Sequence, residues 1–150
     1  MSDRFYERDV LAWSQHQADL LRRIGQGERV NDVDWANVAK EIEGVGLCEL
    51  HSVEDFLNLI LLHLLKLRAW PDSQACGHWR GEIAGFQENL KRRFCPSMRQ
   101  RIDLGKLYNA AADQMRAGHP GVPLPPENPF SLDHLLNDDI NALLQTWSSR

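Results

Sequence analysis

The sequence predicts an all-α fold: a single domain over residues 1–150, with five or six helices around a central buried one. Apolar residues recur at helical spacing along most of the chain, and no stretch alternates between apolar and polar residues as a half-buried strand does. The run Leu57–Leu67 is apolar on nearly every side, which is typical of a helix buried all round. A chain of 150 residues is also long enough to enclose a sizeable core in one domain.

The first third of the chain is predicted to form two helices ahead of the central one. The apolar stripe of the first consists of Tyr6, Val10, Trp13, Leu20, Leu21 and Ile24. Asp34 is expected to cap a short second helix. The inner face of that helix is predicted to hold Trp35, Val38, Ala39 and Ile42. Gly44 and Gly46 are then expected to break or bend the chain.

The central helix is predicted over 47–69. Its first half is amphipathic, whereas its second half has apolar residues on all sides and must be covered all round. Pro71 marks its end.

The second half of the chain continues with helices separated by prolines. Ser73 is expected to cap a helix whose apolar stripe is Trp79, Ile83, Phe86, Leu90 and Phe94. Ser97 and Gln100 match a capping box ahead of the next helix, which packs Leu104, Tyr108, Ala111 and Met115. The connection 118–130 holds most of the seven prolines and is expected to be an extended strap. Ser131 is predicted to cap a short amphipathic C-terminal helix that includes Leu135, Leu144 and Trp147.

Charge and cysteine content narrow the class of protein. The net charge of -4 gives no reason to expect affinity for nucleic acid in general. Acidic residues nevertheless dominate 1–60 and basic residues 61–120, so either complementary helix faces pack together or a basic patch binds an anionic partner. Cys48, Cys76 and Cys95 form no CxxC pair, and we expect free, mostly buried thiols. With no signal core and no apolar run of about 20 residues, a soluble cytoplasmic protein without membrane contact is predicted.

No complete catalytic, cofactor or metal motif is present in the sequence. Glu-x-x-His and His-Glu-x-x-His are missing, and so are a nucleophile elbow and a glycine-rich phosphate loop. His51 and Asp55 lie one helical turn apart, but such a pair is most simply a solvated one. We therefore predict no catalytic residue, no cofactor and no metal ligand.

His63 is the polar residue whose surroundings stand out. In the middle of the leucine run it is either a core histidine bonded to a carbonyl or carboxylate, or a general base or ligand in a pocket. The pocket alternative predicts a polar cluster of Glu41, His63, Lys66, Trp79 and Arg80.

Several motifs together resemble a bacterial and cyanobacterial family known as domain of unknown function twenty-nine. The resemblance runs from about Tyr6 to Ile140. It is carried by Tyr6 with Trp13, by the segment 34–46 (DWANVAKEIEGVG), by 61–66 (LLHLLK), by Trp79-Arg80, by Pro96-Ser97, and by 129–132 (PFSL) ahead of Leu135-Leu136. The resemblance implies an all-helical fold and no assigned activity.

The leading functional prediction is a helical interaction or accessory module without enzymatic activity. It either binds an unknown protein partner or associates with itself. This prediction rests on the amphipathic ends of the chain, on Trp147 near the terminus and on the segregated charge. One alternative is a small-ligand-binding protein or enzyme with a polar pocket around His63. A second is an anion- or nucleic-acid-binding protein that uses the basic region 80–101.

Overall fold

The computed structural model describes residues 2–148, with side chains from residue 4 onward. That part of the chain contains helices and no strand, which confirms the all-α prediction. Its seven α-helices, against five or six predicted, are α1 Ser2–Arg8, α2 Val10–Gly25, α3 Trp35–Ala69, α4 Cys76–Arg93, α5 Leu104–Gly118, α6 Leu132–Asn137 and α7 Ile140–Ser148, with a 3-10 turn at Pro96–Gln100.

The chain forms two compact units, Met1–Cys48 and Glu49–Arg150. Helix α3 belongs to both, because it runs without interruption through the boundary between them. The single domain expected from the sequence stays a prediction.

Two helices rather than one make up the start of the first unit. They are separated at Asp9, whose carboxylate accepts from the backbone N–H of Ala12 at 3.0 Å and caps α2. The core of this unit is small and consists of Trp13, Leu20, Val33 and Val38. Val10 and Leu21, predicted to belong to the inner stripe of this segment, are 52% and 36% exposed.

Helix α3 is one continuous helix of 35 residues, about 52 Å long at 1.5 Å per residue. The predicted break at Gly44 and Gly46 is therefore wrong, and the central helix begins at Trp35 rather than at residue 47. Each glycine costs about 1 kcal/mol relative to alanine inside a helix. The helix-favouring residues on both sides of the pair outweigh that cost, so the glycines weaken α3 without ending it.

The core of the second unit surrounds the C-terminal half of α3. Leu57, Ile60, Leu61, Leu64 and Leu65 are 0% exposed, so the leucine run is covered all round as predicted. Residues from the later helices complete this core: Ile83, Leu90, Tyr108, Ala111, Met115, Phe130, Leu135 and Leu143.

Helices α3 and α4 run antiparallel within the second unit, as three cross-helix contacts show. Near one end, the ring centres of Phe56 and Phe86 are 6.3 Å apart. Next to it, Arg93 Nη1 lies 3.3 Å from Glu49 Oε1. Toward the other end, His63 contacts Glu82 on α4. His63, in the leucine run, therefore faces α4.

The helix starts differ from the sequence predictions at two of four positions. Asp34 precedes α3, which begins at Trp35, and its carboxylate accepts from the N–H of Asn37 at 3.4 Å. Ser73 accepts locally from the N–H of Ala75 and does not cap α4, which begins at Cys76. Ser97 lies inside the 3-10 turn, and α5 is capped instead by Asp103, which accepts from the N–H of Lys106 at 3.1 Å. The cap at Ser131 is confirmed, since its hydroxyl accepts from the N–H of His134 at 3.1 Å.

The C-terminal segment packs inside the second unit. The predicted single helix is two helices, α6 and α7, and the side-chain amide of Gln87 ties their junction to α4 by donating to the carbonyls of Leu135 and Asp138 at 3.0 and 2.9 Å. Leu135 is 0% and Trp147 9% exposed. The amphipathic tail therefore offers no bare surface, and the argument for self-association through it falls away.

Two further sequence predictions concern cysteines and the membrane. The three cysteines are free, but Cys48 and Cys95 are exposed and Cys76 is half-buried, so the expectation of mostly buried thiols is wrong. Among the described residues, no helix has both the length and the hydrophobicity needed to cross a bilayer.

Candidate functional site

The N-terminal half of α3 carries an exposed apolar face, which we call the bare face. It consists of Trp35, Ala36, Ala39, Ile42, Glu43, Gly46 and Leu47, all of them exposed. At 100° per residue these positions share an arc of about 140°. Glu43 is the one charged member of this set. Large side chains contribute most of the surface, because Trp35 is 61%, Ile42 67% and Leu47 42% exposed.

Beside the bare face, α3 is held by α1 and α2. Val38 is buried against Trp13 in the core of the first unit. Asp34, just ahead of α3, accepts from the indole N–H of Trp13 at 3.1 Å, and its own N–H donates to Gln17 Oε1 at 2.8 Å. The first unit thus packs on α3 at Val38, whereas residues 39–43 and 45–48 are all exposed, Val45 at 68%.

This arrangement corrects the predicted inner face of the second helix. Of the four residues assigned to it, Val38 is buried, whereas Trp35, Ala39 and Ile42 are exposed. Val38 lies only about 40° around the helix from Ile42, so periodicity alone did not distinguish the covered position from the exposed ones. A soluble protein can expose single apolar residues without consequence, but a contiguous apolar face usually marks a binding surface.

Glycines lie on and beside the bare face without any packing role inside the chain. A Cβ placed on Gly46 or on Gly44 would meet no other atom within 4 Å. Both residues have helical backbone, so neither uses the positive φ that glycine allows. Nothing within the described structure therefore requires glycine at either position.

His63 is the centre of a second candidate site, in the second unit. Its side chain is buried, its Nδ1 lies 2.8 Å from the carbonyl oxygen of Leu59, and its Nε2 lies 2.5 Å from Glu82 Oε2. The other carboxylate oxygen of Glu82 is 3.3 Å from Nε2 of His78, an exposed residue one turn earlier on α4. Glu82 therefore connects a buried imidazole to the surface.

The hydrogen bonds of His63 require a proton shared with Glu82. A carbonyl oxygen only accepts, so Nδ1 carries a hydrogen and donates it to Leu59. Between Nε2 and Glu82 there must be one more proton, either on the ring or on the carboxyl group. Among the described residues, no group of three His, Cys, Asp or Glu side chains could hold a metal ion.

Lys66, Trp79 and Arg80 lie on the same two helices as His63 and Glu82. The ammonium of Lys66 is 5.9 Å from the ring centre of Trp79, whose ring centre is in turn 6.2 Å from that of Trp70. Arg80 turns toward α7, where its guanidinium donates to Asn141 at 2.6 Å. Lys66 and Trp79 therefore lie about one helical turn from His63 and Glu82, whereas Arg80 links α4 to α7.

Glu41 does not share a site with His63. The two residues are 22 positions apart on one continuous helix, which separates them by about 33 Å along its axis. Glu41 is exposed and accepts a hydrogen bond from the Tyr6 hydroxyl. A pocket formed by Glu41 and His63 together is thus incompatible with an unbroken α3.

The basic region 80–101 is partly neutralised by acidic residues of the same unit. Arg93 pairs with Glu49, and Arg99 lies 2.9 Å from Asp133. These contacts agree with complementary packing of acidic and basic helices, one of the two explanations for the segregated charge. Exposed ion pairs of this type contribute only about 0–1 kcal/mol each.

Both tyrosines have pKa values raised above the ordinary 10.0, for different reasons. For Tyr6 the main cause is the hydrogen bond to Glu41; for Tyr108 it is burial, opposed by the charges of Arg116 and Arg68. A raised pKa in the folded state contributes stability that is present below pH 10.0 and is lost as the pH rises past it.

A spectroscopic titration at 295 nm should therefore show both phenols half-ionised only above pH 10.0. Tyr6→Phe isolates Tyr108, and Tyr108→Phe isolates Tyr6. In the Tyr108→Phe background, Glu41→Gln should bring the midpoint of Tyr6 down, because it removes the carboxylate that holds the proton. A midpoint at or below pH 10.0 for either tyrosine would contradict these environments.

Sequence reasoning missed Glu82 and the bare face. Glu82 was detectable as the acidic residue one position ahead of Ile83 on the apolar stripe of α4. The bare face had a signal in two glycines inside a helical pattern, which we interpreted as a break. With this segment read as helix, its apolar residues form one continuous arc on α3.

Comparison with known proteins agrees with this fold. The family model described as domain of unknown function DUF29 matches residues 5–140. A crystal structure of an alpha-helical protein of unknown function from Rhodospirillum rubrum is similar, with a TM-score of 0.70, 27% sequence identity and coverage of 95% of this chain and 96% of that one. No curated protein matches. Neither match carries an assigned activity; the chain belongs to the family domain of unknown function DUF29.

Proposed function

We propose that the protein is a helical interaction module that binds another helix through the bare face of α3. The observation that carries the proposal is the exposure of Trp35 and Ile42 on a helix side with a single charged residue. Aromatic and aliphatic side chains are the residue types that anchor helix-in-groove and helix–helix binding.

The rest of the described structure supports binding rather than catalysis. His63 is buried, its ring contacts that of Phe86, and both of its ring nitrogens are bonded. A cavity of about 400 Å³ in the second unit is lined by Arg68, Ala69 and residues 123–125, and none of these belongs to the polar cluster considered for a ligand site. We also propose a bacterial, cytoplasmic protein, in keeping with its free cysteines and its bacterial structural neighbour.

Site-specific photocrosslinking in cells tests the proposal. A benzophenone amino acid at Ile42 should yield a discrete adduct heavier than the monomer, because that side chain lies at the centre of the bare face. The matched control is Leu11 on α2, an equally exposed apolar residue that does not belong to the bare face.

The position dependence decides the outcome. Adducts at Ile42 and none at Leu11 support binding through the bare face. Adducts at Leu11 alone, or none at either position, would overturn it. The mass of the Ile42 adduct identifies the partner as a second copy or as a different protein.

A further inference from the structure

We propose that the partner of the bare face is a second copy of this chain, bound through an antiparallel, two-fold symmetric pairing of the two α3 helices. This inference rests on the proposed function and names its partner. It is carried by the order of large and small residues along the centre line of the bare face: Trp35, Ala39, Ile42 and Gly46.

The spacing of these four residues is the same from both ends. The steps are four, three and four positions, so an antiparallel copy can be aligned with all four in register. In that register Trp35 lies opposite Gly46 of the second copy, and Ile42 lies opposite Ala39. Each large side chain meets a small one, which is the arrangement that lets two helices pack closely without voids.

Gly46, which has no packing role in the single chain, has one in this pairing. A Cβ on Gly46 has open space in the isolated chain, yet the helix tolerates glycine there at a cost of about 1 kcal/mol. Opposite Trp35 of a second copy, the missing Cβ leaves room for the indole ring. Gly44 lies about 160° away from Gly46 around the helix axis and would not enter the contact.

The charges at the edge of the bare face are compatible with the same symmetry. Lys40, whose ammonium is 5.0 Å from the ring centre of Tyr6, borders the face, and Glu43 lies on it, three positions further on. Antiparallel pairing brings Lys40 of one copy near Glu43 of the other, twice in the pair. Such exposed ion pairs add little affinity, but they favour this orientation, because a parallel pair places Lys40 and Glu43 of the two copies on opposite flanks, where these contacts cannot form.

The area is sufficient for a reversible dimer. From the exposed fractions of Trp35, Ile42 and Leu47 and of the small residues between them, the face offers on the order of 500 Å² per copy. Two copies together bury about 1,000 Å², the lower end for a specific interface, so we expect a weak, reversible dimer.

A size-swap experiment tests the pairing, with the dissociation constant measured by sedimentation equilibrium. Ala39→Ile places isoleucine opposite isoleucine, and Ile42→Ala leaves a void, so each should weaken the dimer about tenfold. The double variant Ala39→Ile/Ile42→Ala exchanges large for small across the interface and should return to within about threefold of the original affinity. All these side chains are exposed in the single chain, so the fold does not depend on them.

Two glycine variants supply an independent check. Gly46→Ala should weaken the dimer about fivefold, whereas Gly44→Ala, the same change off the bare face, should leave it unchanged. A protein that stays monomeric at high micromolar concentration would overturn the inference, and so would a double variant weaker than both single ones. If crosslinking at Ile42 then captures a different protein, the interaction module stands and self-pairing does not.

Discussion

Replacing Glu82 with alanine is expected to lower the free energy of unfolding by about 2–3 kcal/mol, although the substituted carboxylate is partly exposed. The loss comes from His63, whose Nε2 stays buried after its partner is removed. Glu82→Gln retains a side chain that can donate to Nε2 and should cost about 1 kcal/mol or less. Urea unfolding followed by circular dichroism at 222 nm measures both.

Glu88 provides the matched control for this prediction. It is an exposed glutamate on the same helix, so Glu88→Ala should change stability by no more than about 0.5 kcal/mol. Equal effects of Glu82→Ala and Glu88→Ala would contradict the structural role assigned to the contact between His63 and Glu82.

Leu61→Ala is expected to be the most destabilising of the substitutions considered, at about 3–4 kcal/mol. Leu61 is 0% exposed in the middle of the covered half of α3, so truncation loses buried apolar area and leaves a cavity. Leu11→Ala makes the same chemical change on α2 at a side chain that is 66% exposed, and should fall within about 0.5 kcal/mol of the original protein. Thermal or urea unfolding of the two variants shows whether the loss of stability follows the burial of the leucine. Similar losses of stability in both variants would contradict the placement of the leucine run in the core.

The contrast between Leu61 and Leu11 shows what periodicity predicts well. A run that is apolar all round implies burial without knowledge of any neighbour, so the centre of the second unit was predictable from the sequence. We predicted a break at Gly44 and Gly46 because glycine disfavours helices on average. Its cost of about 1 kcal/mol relative to alanine is easily outweighed by adjacent residues.

The candidate sites were only partly predictable for a related reason. The burial of His63 followed from its own helix, but its partner Glu82 lies 19 residues away on α4, and the register of two packed helices is not encoded in the spacing along either. Similarly, spacing assigns Trp35 and Val38 to sides of α3 but does not indicate which side α2 covers. We grouped Glu41 with His63 on the assumption that the chain bends between them. Helix α3 is instead unbroken over both residues.

The exposure of Cys48 and Cys95 has a consequence for how the protein behaves in air. Accessible thiols form intermolecular disulfides through thiolate attack and oxidation, and such covalent pairs have twice the mass of the chain. Covalent pairing at these cysteines would therefore imitate reversible association. A fresh reductant or a Cys48→Ser/Cys95→Ser background removes that chemistry and leaves only the pairing that depends on shape.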